Sequence, residues 1–397
     1  MKKLIIRHQF LLLTIAVVLS VLAVTLQSYY GGDKYWGDSG PYTKYNNYLI
    51  FKQSFEHLID GNNLYELYPT EHWDFYKYTP TFSLLFSVFY ILPDGIGLFA
   101  WNLLNSLLLF WMFWKLDWRS NRFRLLAFVF ILFQIVSSMQ SNQSNSLIAG
   151  LLIGTFLLLE SRKYYGAMLL IVLATFIKPF ALVGLALCLF YPQKLKMAGY
   201  FALNVLVLFL LPVLVTGWDG LIWQYQNWFT LLGDDHSASY GFSVMGGLNS
   251  WFDLEPNKLV VLGLGVILFC LPLIQIKHYQ NSYYRLLCLA SVLIWVILFN
   301  HKAESQTYVI AVAGMAIWYF SRKRGWASTV LILVSLYLVV LAPTDLVPRT
   351  WRKEFLDPYV IRVIPCLIVW LVILYEMMML DRIQWKKESK NSEPSAV

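Results

Sequence analysis

The chain has 397 residues, 58% of them hydrophobic, 17% aromatic and 14% charged, whereas a soluble domain carries about a quarter charged residues. That balance excludes an ordinary soluble domain and implies a polytopic membrane protein. A net charge of +8 does not imply nucleic acid, because Lys and Arg are scattered between apolar runs and form no patch.

In chain order, Met1-Lys2-Lys3 and Arg7 precede the apolar run 10–27, the charge order of a signal anchor. No small-x-small cleavage site follows, which predicts an uncleaved first helix. Residues 29–80 form a polar, aromatic-rich stretch bearing Asp33, Asp38, Glu56, Asp60 and Glu66. Within it, Leu49, Phe51, Phe55, Leu58 and Ile59 fall near helical spacing before Gly61, predicting an amphipathic helix on the membrane surface, catalytic or merely structural. The run 81–93 spoils the topology if counted as a span and is read as an interfacial or re-entrant helix.

A span needs about 20 apolar residues. Candidates fall near 10–28, 96–114, 123–138, 145–159, 197–216, 258–275, 286–300, 306–320, 327–342 and 358–380. The run 164–191 has basic residues on both flanks and is split at Lys178-Pro179 into a hairpin of two short helices. The expected architecture is an all-α bundle of about 12 spans, a single transmembrane domain over 1–380 with a cytoplasmic tail over 381–397. With both termini inside, the seven inner segments comprise 63 residues and hold 20 of the 31 Lys and Arg. The long outer loops, 29–80 and 217–257, then share one face with the turn 300–306 and residues 343–357. The tail after Asp381 is polar and expected to be disordered.

Chemistry is sought on that outer face. Carboxylates near the membrane surface can take a proton from an acceptor hydroxyl, and Asp33 and Asp38 sit closest to the first helix, with Glu56 further on. Lys178 is an ionisable residue inside an apolar run, which points to function, here a phosphate ligand; a snorkelling lysine is the plainer alternative. Asn300-His301-Lys302-Ala303-Glu304 packs imidazole, ammonium and carboxylate into one turn, where His301 and Lys302 can hold an oxyanion, or a surface salt bridge simply forms. Residues 233–251 are read as a lid with Gly hinges presenting Trp228, Tyr240 and Trp251. The run Asp234-Asp235-His236 invites a divalent metal, but no second ligand cluster stands at a known spacing, and no cofactor is expected. Gln140, Asn142, Gln143 and Asn145 are amides at a helix junction that can cap a helix or bind a sugar hydroxyl. Cys188, Cys270, Cys288 and Cys366 all lie in apolar runs and offer neither a metal site nor a disulfide framework. There is no P-loop, dinucleotide fingerprint, HExxH or GxSxG.

The order Tyr48, Gly61, Leu64-Tyr65, Tyr78-Thr79-Pro80, Trp101 to Asn105 resembles glycosyltransferase family 87 of the GT-C superfamily. Gln140 to Asn145 resembles that family's Q-x-N segment, Ile177-Lys178-Pro179 its hairpin lysine, and His301 its late outer histidine. The resemblance implies a GT-C-type bundle whose active site lies between the first outer loop and the bacterial inner membrane, on the extracytoplasmic side. It implies a polyprenyl-phosphate sugar donor, often mannose, and a glycan or glycolipid acceptor of the cell envelope. It also implies a base in an Asp-Phe-x-x-Tyr motif, and aligning that Tyr on Tyr48 puts Lys44 in the place of the Asp. Asp38 and Asp33, then Glu56, become the candidate bases. Lys178, His301 and Lys302 become the donor-phosphate ligands, and Lys44, Asn47, Tyr48, Tyr78, Gln140, Asn142, His236 and Asn249 the substrate contacts. The rival classes are a lipid-linked sugar transporter or flippase, which predicts a polar path to both faces, and a non-catalytic envelope assembly protein.

Overall fold

The computed structural model describes residues 2–36, 39–234 and 240–381. Among the described residues the fold is all-α apart from one small hairpin, and the chain divides into two compact units, 1–185 with 193–239, and 186–192 with 240–397.

The first unit opens with α1 (Lys2–Tyr29) and an antiparallel hairpin of β1 (Lys34–Trp36) and β2 (Ser39–Tyr42). The surface helix expected in the first loop is α2 (Asn46–Ile59). It ends because Gly61 adopts φ +73° and Asn62 N–H reaches back to the His57 carbonyl at 2.9 Å, a left-handed cap that glycine supplies without a Cβ penalty. The run 81–93 is too short to span: it holds only α3 (Pro80–Leu85) and α4 (Ser87–Tyr90). Thr79 caps α3, its hydroxyl accepting from Phe82 N–H, with Pro80 in the first turn, where the missing N–H costs nothing.

Next come α5 (Asp94–Trp114), α6 (Asn121–Gln140), α7 (Asn145–Glu160) and α8 (Tyr164–Ile177). Helix α7 packs close to α5, and a Cβ on Gly150 would stand 3.0 Å from the Leu109 amide, so a small residue is needed where the backbones approach. Helix α8 stops at Lys178, whose extended backbone suits a residue preceding proline. A 3₁₀ helix, Pro179–Phe190, follows. Gly184 in it packs against Leu152 and Ile171, so the chain turns back towards α7 and α8 after Pro179.

The expected span 197–216 is shorter than the sequence suggests. Helix α9 (Lys194–Leu210) breaks at Leu211-Pro212, and α10 (Val213–Asp234) leaves it at 93°. Gly217, at φ +67°, interrupts α10. The start of the second loop is therefore helix.

The second unit contains α11 (Val244–Phe252), α12 (Lys258–Cys270), α13 (Ser282–Leu298), α14 (Tyr308–Phe320), α15 (Trp326–Ser335), the short α16 (Arg349–Trp351) and α17 (Val363–Met378). Helices α13 and α14 are buried nearly all round, the condition under which an evenly apolar helix is stable. Asn257 and Asn281 start α12 and α13 by accepting from two backbone N–H groups each, which satisfies orphan donors of the first turn. At one end Arg324 pairs with Glu376, which also accepts from Tyr283 Oη at 3.1 Å and Trp318 Nε1 at 3.2 Å. A buried ion pair survives only with its remaining valences filled in this way.

Among the described residues, three helical stretches are long and apolar enough to cross a membrane: His8–Tyr29, Asp94–Trp114 and Asn121–Gln140. The bent pair α9–α10 makes a fourth if taken as one broken span. The protein is a membrane protein.

Candidate active site

The first loop folds onto the transmembrane helices through aromatic packing. Phe51, on the inner face of α2, meets Tyr78, Phe82, Phe86 and Trp101 with ring centroids at 4.9, 5.4, 5.5 and 5.8 Å, all edge-on, a geometry that adds about 0.5–1.5 kcal/mol per pair beyond area burial. Tyr48 and Tyr78-Thr79-Pro80, remote from Trp101 in sequence, thus belong to one cluster. Tyr48 is fully buried beside Gly97, where a Cβ would collide with its hydroxyl. Burial, and then the negative charge of Asp94, raise its phenol well above the usual value. Its part is to dock α2.

Above that cluster lies a polar one built on residues 140–145. Asn142 sits at φ +55°, a conformation Asn tolerates better than most residues, and is fully buried. Its carbonyl accepts from Trp101 Nε1 at 2.8 Å and its Oδ1 from Asn102 Nδ2 at 3.1 Å, while its Nδ2 faces the Lys44 carbonyl at 3.5 Å. Every polar atom of that side chain is committed within the protein, so Asn142 holds the loop and the bundle together. Asn47 Nδ2 donates to the Ser141 carbonyl at 2.8 Å. The Lys44 side chain lies against Gly31, where a Cβ would stand 2.6 Å from Lys44 Cδ. Gln140 is exposed and meets Gln27 at 3.4 Å.

Lys178 joins this cluster. Its Nζ donates to Asn145 Oδ1 at 2.7 Å and stands 5.9 Å from the centroid of the Tyr78 ring. Asn145, fully buried, turns its own amide to Gln143 Oε1 at 2.7 Å and begins α7, whose N-terminus favours negative charge. The flanking hydroxyls of Ser144 and Ser146 are buried and make no hydrogen bond among the described residues. A half-buried ammonium, a helix N-terminus and two hydroxyls make an environment suited to an anion.

The candidate carboxylates are dispersed. Asp33 is exposed beyond α1, and Glu56 is half-buried on α2. Burial chiefly, then Asp94, Tyr29 and Asp33, raise the Tyr45 phenol above its ordinary range. Asp38 and His236 lie outside the described residues. Sequence reading missed Asp94, which pairs with Lys52 at 2.5 Å in the first turn of α5. Matched by an ammonium and a helix N-terminus, that charge fastens α2 to α5.

In the second unit, Asn300 to Glu304 form a turn closed from within. Asn300 Oδ1 accepts from Lys302 N–H at 3.0 Å, and Glu304 with Thr307 makes a reciprocal cap. Phe242 N–H donates to the Ala303 carbonyl at 2.8 Å, and Gly241, at φ +54°, leaves no room for a Cβ beside that carbonyl. Arg362, buried and absent from the sequence reading, donates to Ser305 Oγ at 2.7 Å and Asp357 Oδ1 at 2.9 Å. Its guanidinium also covers the Phe242 ring at 4.3 Å. His301 and Lys302 are half-buried on this turn.

The aromatic residues of the expected lid do not stand free. Trp228 Nε1 donates to the Lys77 carbonyl at 3.2 Å and Gln224 Nε2 to the Asn62 carbonyl at 2.6 Å, so α10 clamps the first loop. Trp251 Nε1 donates to the Tyr359 carbonyl at 2.6 Å, and Asn249 Nδ2 to the Leu254 carbonyl at 2.9 Å.

No curated protein matches the chain. The profile of glycosyltransferase family 87 matches residues 75–355, a stretch that contains Tyr78, the 140–145 segment, Lys178 and the 300–304 turn. The chain therefore belongs to glycosyltransferase family 87, membrane enzymes that move a sugar from a donor to an acceptor.

Proposed function

We propose that the protein transfers a hexose, mannose-like, from a polyprenyl-phosphate sugar to a cell-envelope glycan or lipid on the outer face of a bacterial inner membrane. The observation that carries this reading is Lys178, an ammonium at the end of an apolar helix, bonded to Asn145 and beside Tyr78. The topology that fits it has about 12 spans with both termini cytoplasmic.

The reaction is a single displacement. A carboxylate takes the proton of the acceptor hydroxyl, whose oxygen bonds to the anomeric carbon as the bond from that carbon to the phosphate oxygen breaks. Configuration inverts and the lipid phosphate leaves unprotonated. A glycosidase needs a second carboxylic acid because an alcohol leaves poorly; a phosphate needs instead a cation for the charge growing on its oxygens. Lys178 supplies that cation, and His301 and Lys302 are separate candidates for the same task. Asp38 is the first candidate base, then Asp33 and Glu56.

Proteoliposomes given radiolabelled polyprenyl-phosphate sugars and cell-envelope lipids test the reading. Label passing to an acceptor supports a transferase. Movement of unaltered donor between leaflets would replace it with a flippase, and the absence of both would favour an assembly role. Asp38→Asn is expected to abolish transfer while donor still binds; full activity would remove Asp38 as the base.

A further inference from the structure

An open cleft of about 460 Å³ lies in the first loop, lined by Gly40, Tyr42, Thr43, Pro69, Thr70 and Glu71. That volume falls within the range of about 300–1,000 Å³ typical of small-molecule sites. We propose that it is a saccharide subsite, in which Glu71 accepts hydrogen bonds from hydroxyls of a neutral acceptor glycan. This rests on the transferase reading for its biological meaning and on the cleft alone for its chemistry.

Glu71 is a built feature of the cleft. Its Oε2 stands 3.0 Å from Nε2 of His57, whose side chain is 8% exposed against 34% for Glu71. Tyr68 stacks on the His57 ring at 3.7 Å, and its hydroxyl donates to the Asn63 carbonyl at 2.7 Å. The imidazole is thus fixed from behind and orients a carboxylate whose outer edge remains open to the cleft.

The walls are held as firmly. Tyr42 Oη donates to the Pro69 carbonyl at 3.0 Å, joining the hairpin to the 69–71 segment. Its ring packs on Trp73 at 5.8 Å. Trp73 is locked by two bonds with Asn46, each 2.8 Å. The Thr43 hydroxyl is buried without a hydrogen-bond partner among the described residues.

A carboxylate, the Thr70 hydroxyl and aromatic and proline faces match a pyranose, which presents hydroxyls at its rim and C–H groups on its faces. The lining residues include no Lys or Arg, and Glu71 repels a phosphate. The cleft therefore suits the acceptor and not the donor. Adjacent residues at the start of α2 separate the two environments: Asn46 holds Trp73 behind the cleft, and Asn47 reaches Ser141 in the cluster containing Lys178.

Saturation-transfer NMR on the purified full-length protein, with mannotriose and maltotriose as probes, tests this. At least one trisaccharide is expected to take up saturation, and inorganic phosphate should not displace it. Glu71→Gln should weaken binding about tenfold or more, the scale of lost charge-assisted hydrogen bonds, while Glu71→Asp restores part of it. Tyr42→Leu and Thr70→Val, which leave the Glu71–His57 pair intact, should weaken binding too. His57 is a positioning residue, so His57→Asn should raise the acceptor KM and leave kcat unchanged. The assignment falls if neither trisaccharide binds at millimolar concentration, if phosphate competes, or if folded Glu71→Gln binds as the parent does. Binding that depends on Glu71 without transfer from any donor would overturn the transferase reading alone. Transfer with an acceptor KM unaltered in Glu71→Gln would overturn the subsite alone.

Discussion

Lys178 and the turn from Asn300 to Glu304 each stand at the end of an apolar helix, and they are shaped by opposite means. The Lys178 ammonium is placed by residues distant in sequence, Asn145 at 2.7 Å and the Tyr78 ring at 5.9 Å. The turn is shaped by its own atoms, Asn300 Oδ1 on Lys302 N–H and the Glu304–Thr307 cap, and then clasped by Arg362. A cation positioned by remote partners reports whether the first loop, α7 and α8 have assembled. A turn closed by its own backbone bonds keeps its local shape if its neighbours shift.

The largest effect is therefore expected at Lys178. Replacing it with Met should lower sugar transfer about 100–1,000-fold, the scale on which a preorganised charge acts on a transition state, with Lys178→Arg recovering part; turnover in proteoliposomes reads it, and near-parental turnover in the Met variant would break the comparison. Next is Arg362→Met, which strips the clasp from the turn. The hydrogen bonds of a charged group contribute about 2 kcal/mol, so the melting temperature in detergent should fall by several degrees. An unchanged melting temperature would mean that the turn needs no clasp.

His301→Ala and Lys302→Ala should each lower turnover about tenfold, some 1.4 kcal/mol, with less change in melting temperature than Arg362→Met. A larger loss than at Lys178 would reverse the ranking of the two cations. A separate effect is expected in the first loop's response to acid. Burial, with a lesser contribution from His57, pushes the His72 imidazole down to about 4, against the pull of the Asp74 carbonyl and carboxylate. The unfolded chain takes up a proton near pH 6.5 that the folded chain refuses until about pH 4, so stability is full above pH 6.5 and declines between those values. His72→Leu should flatten that part of a melting-temperature profile, and an identical slope would remove His72 as the source.

Much of the helical order was legible because apolar runs and their punctuation are local. Lys178-Pro179 ends α8 where the preceding residue of a proline leaves the helical region, and Gly61 ends α2 through its left-handed backbone. The 93° bend at Leu211-Pro212 was less legible, since it lies in a continuous apolar stretch without a polar interruption. Asn142 read as an amide that could cap, pack or bind a sugar hydroxyl, because nothing local announces that Trp101, Asn102 and Lys44 take up its atoms. The Glu71–His57 pair had no signal: Glu71 resembles any solvated loop carboxylate until α2 turns His57 towards it.

By itself, the sequence determined that this is an all-α membrane protein and carried the ordered motifs of a glycosyltransferase family, because hydropathy and short motifs are written along the chain. Tertiary structure decided which side chains share a site. The alliances of Lys178 with Asn145, Asn47 with Ser141 and Glu71 with His57 join residues 14 to 94 positions apart. Such contacts arise when packing takes at least one partner out of water and brings the other's polar group within reach.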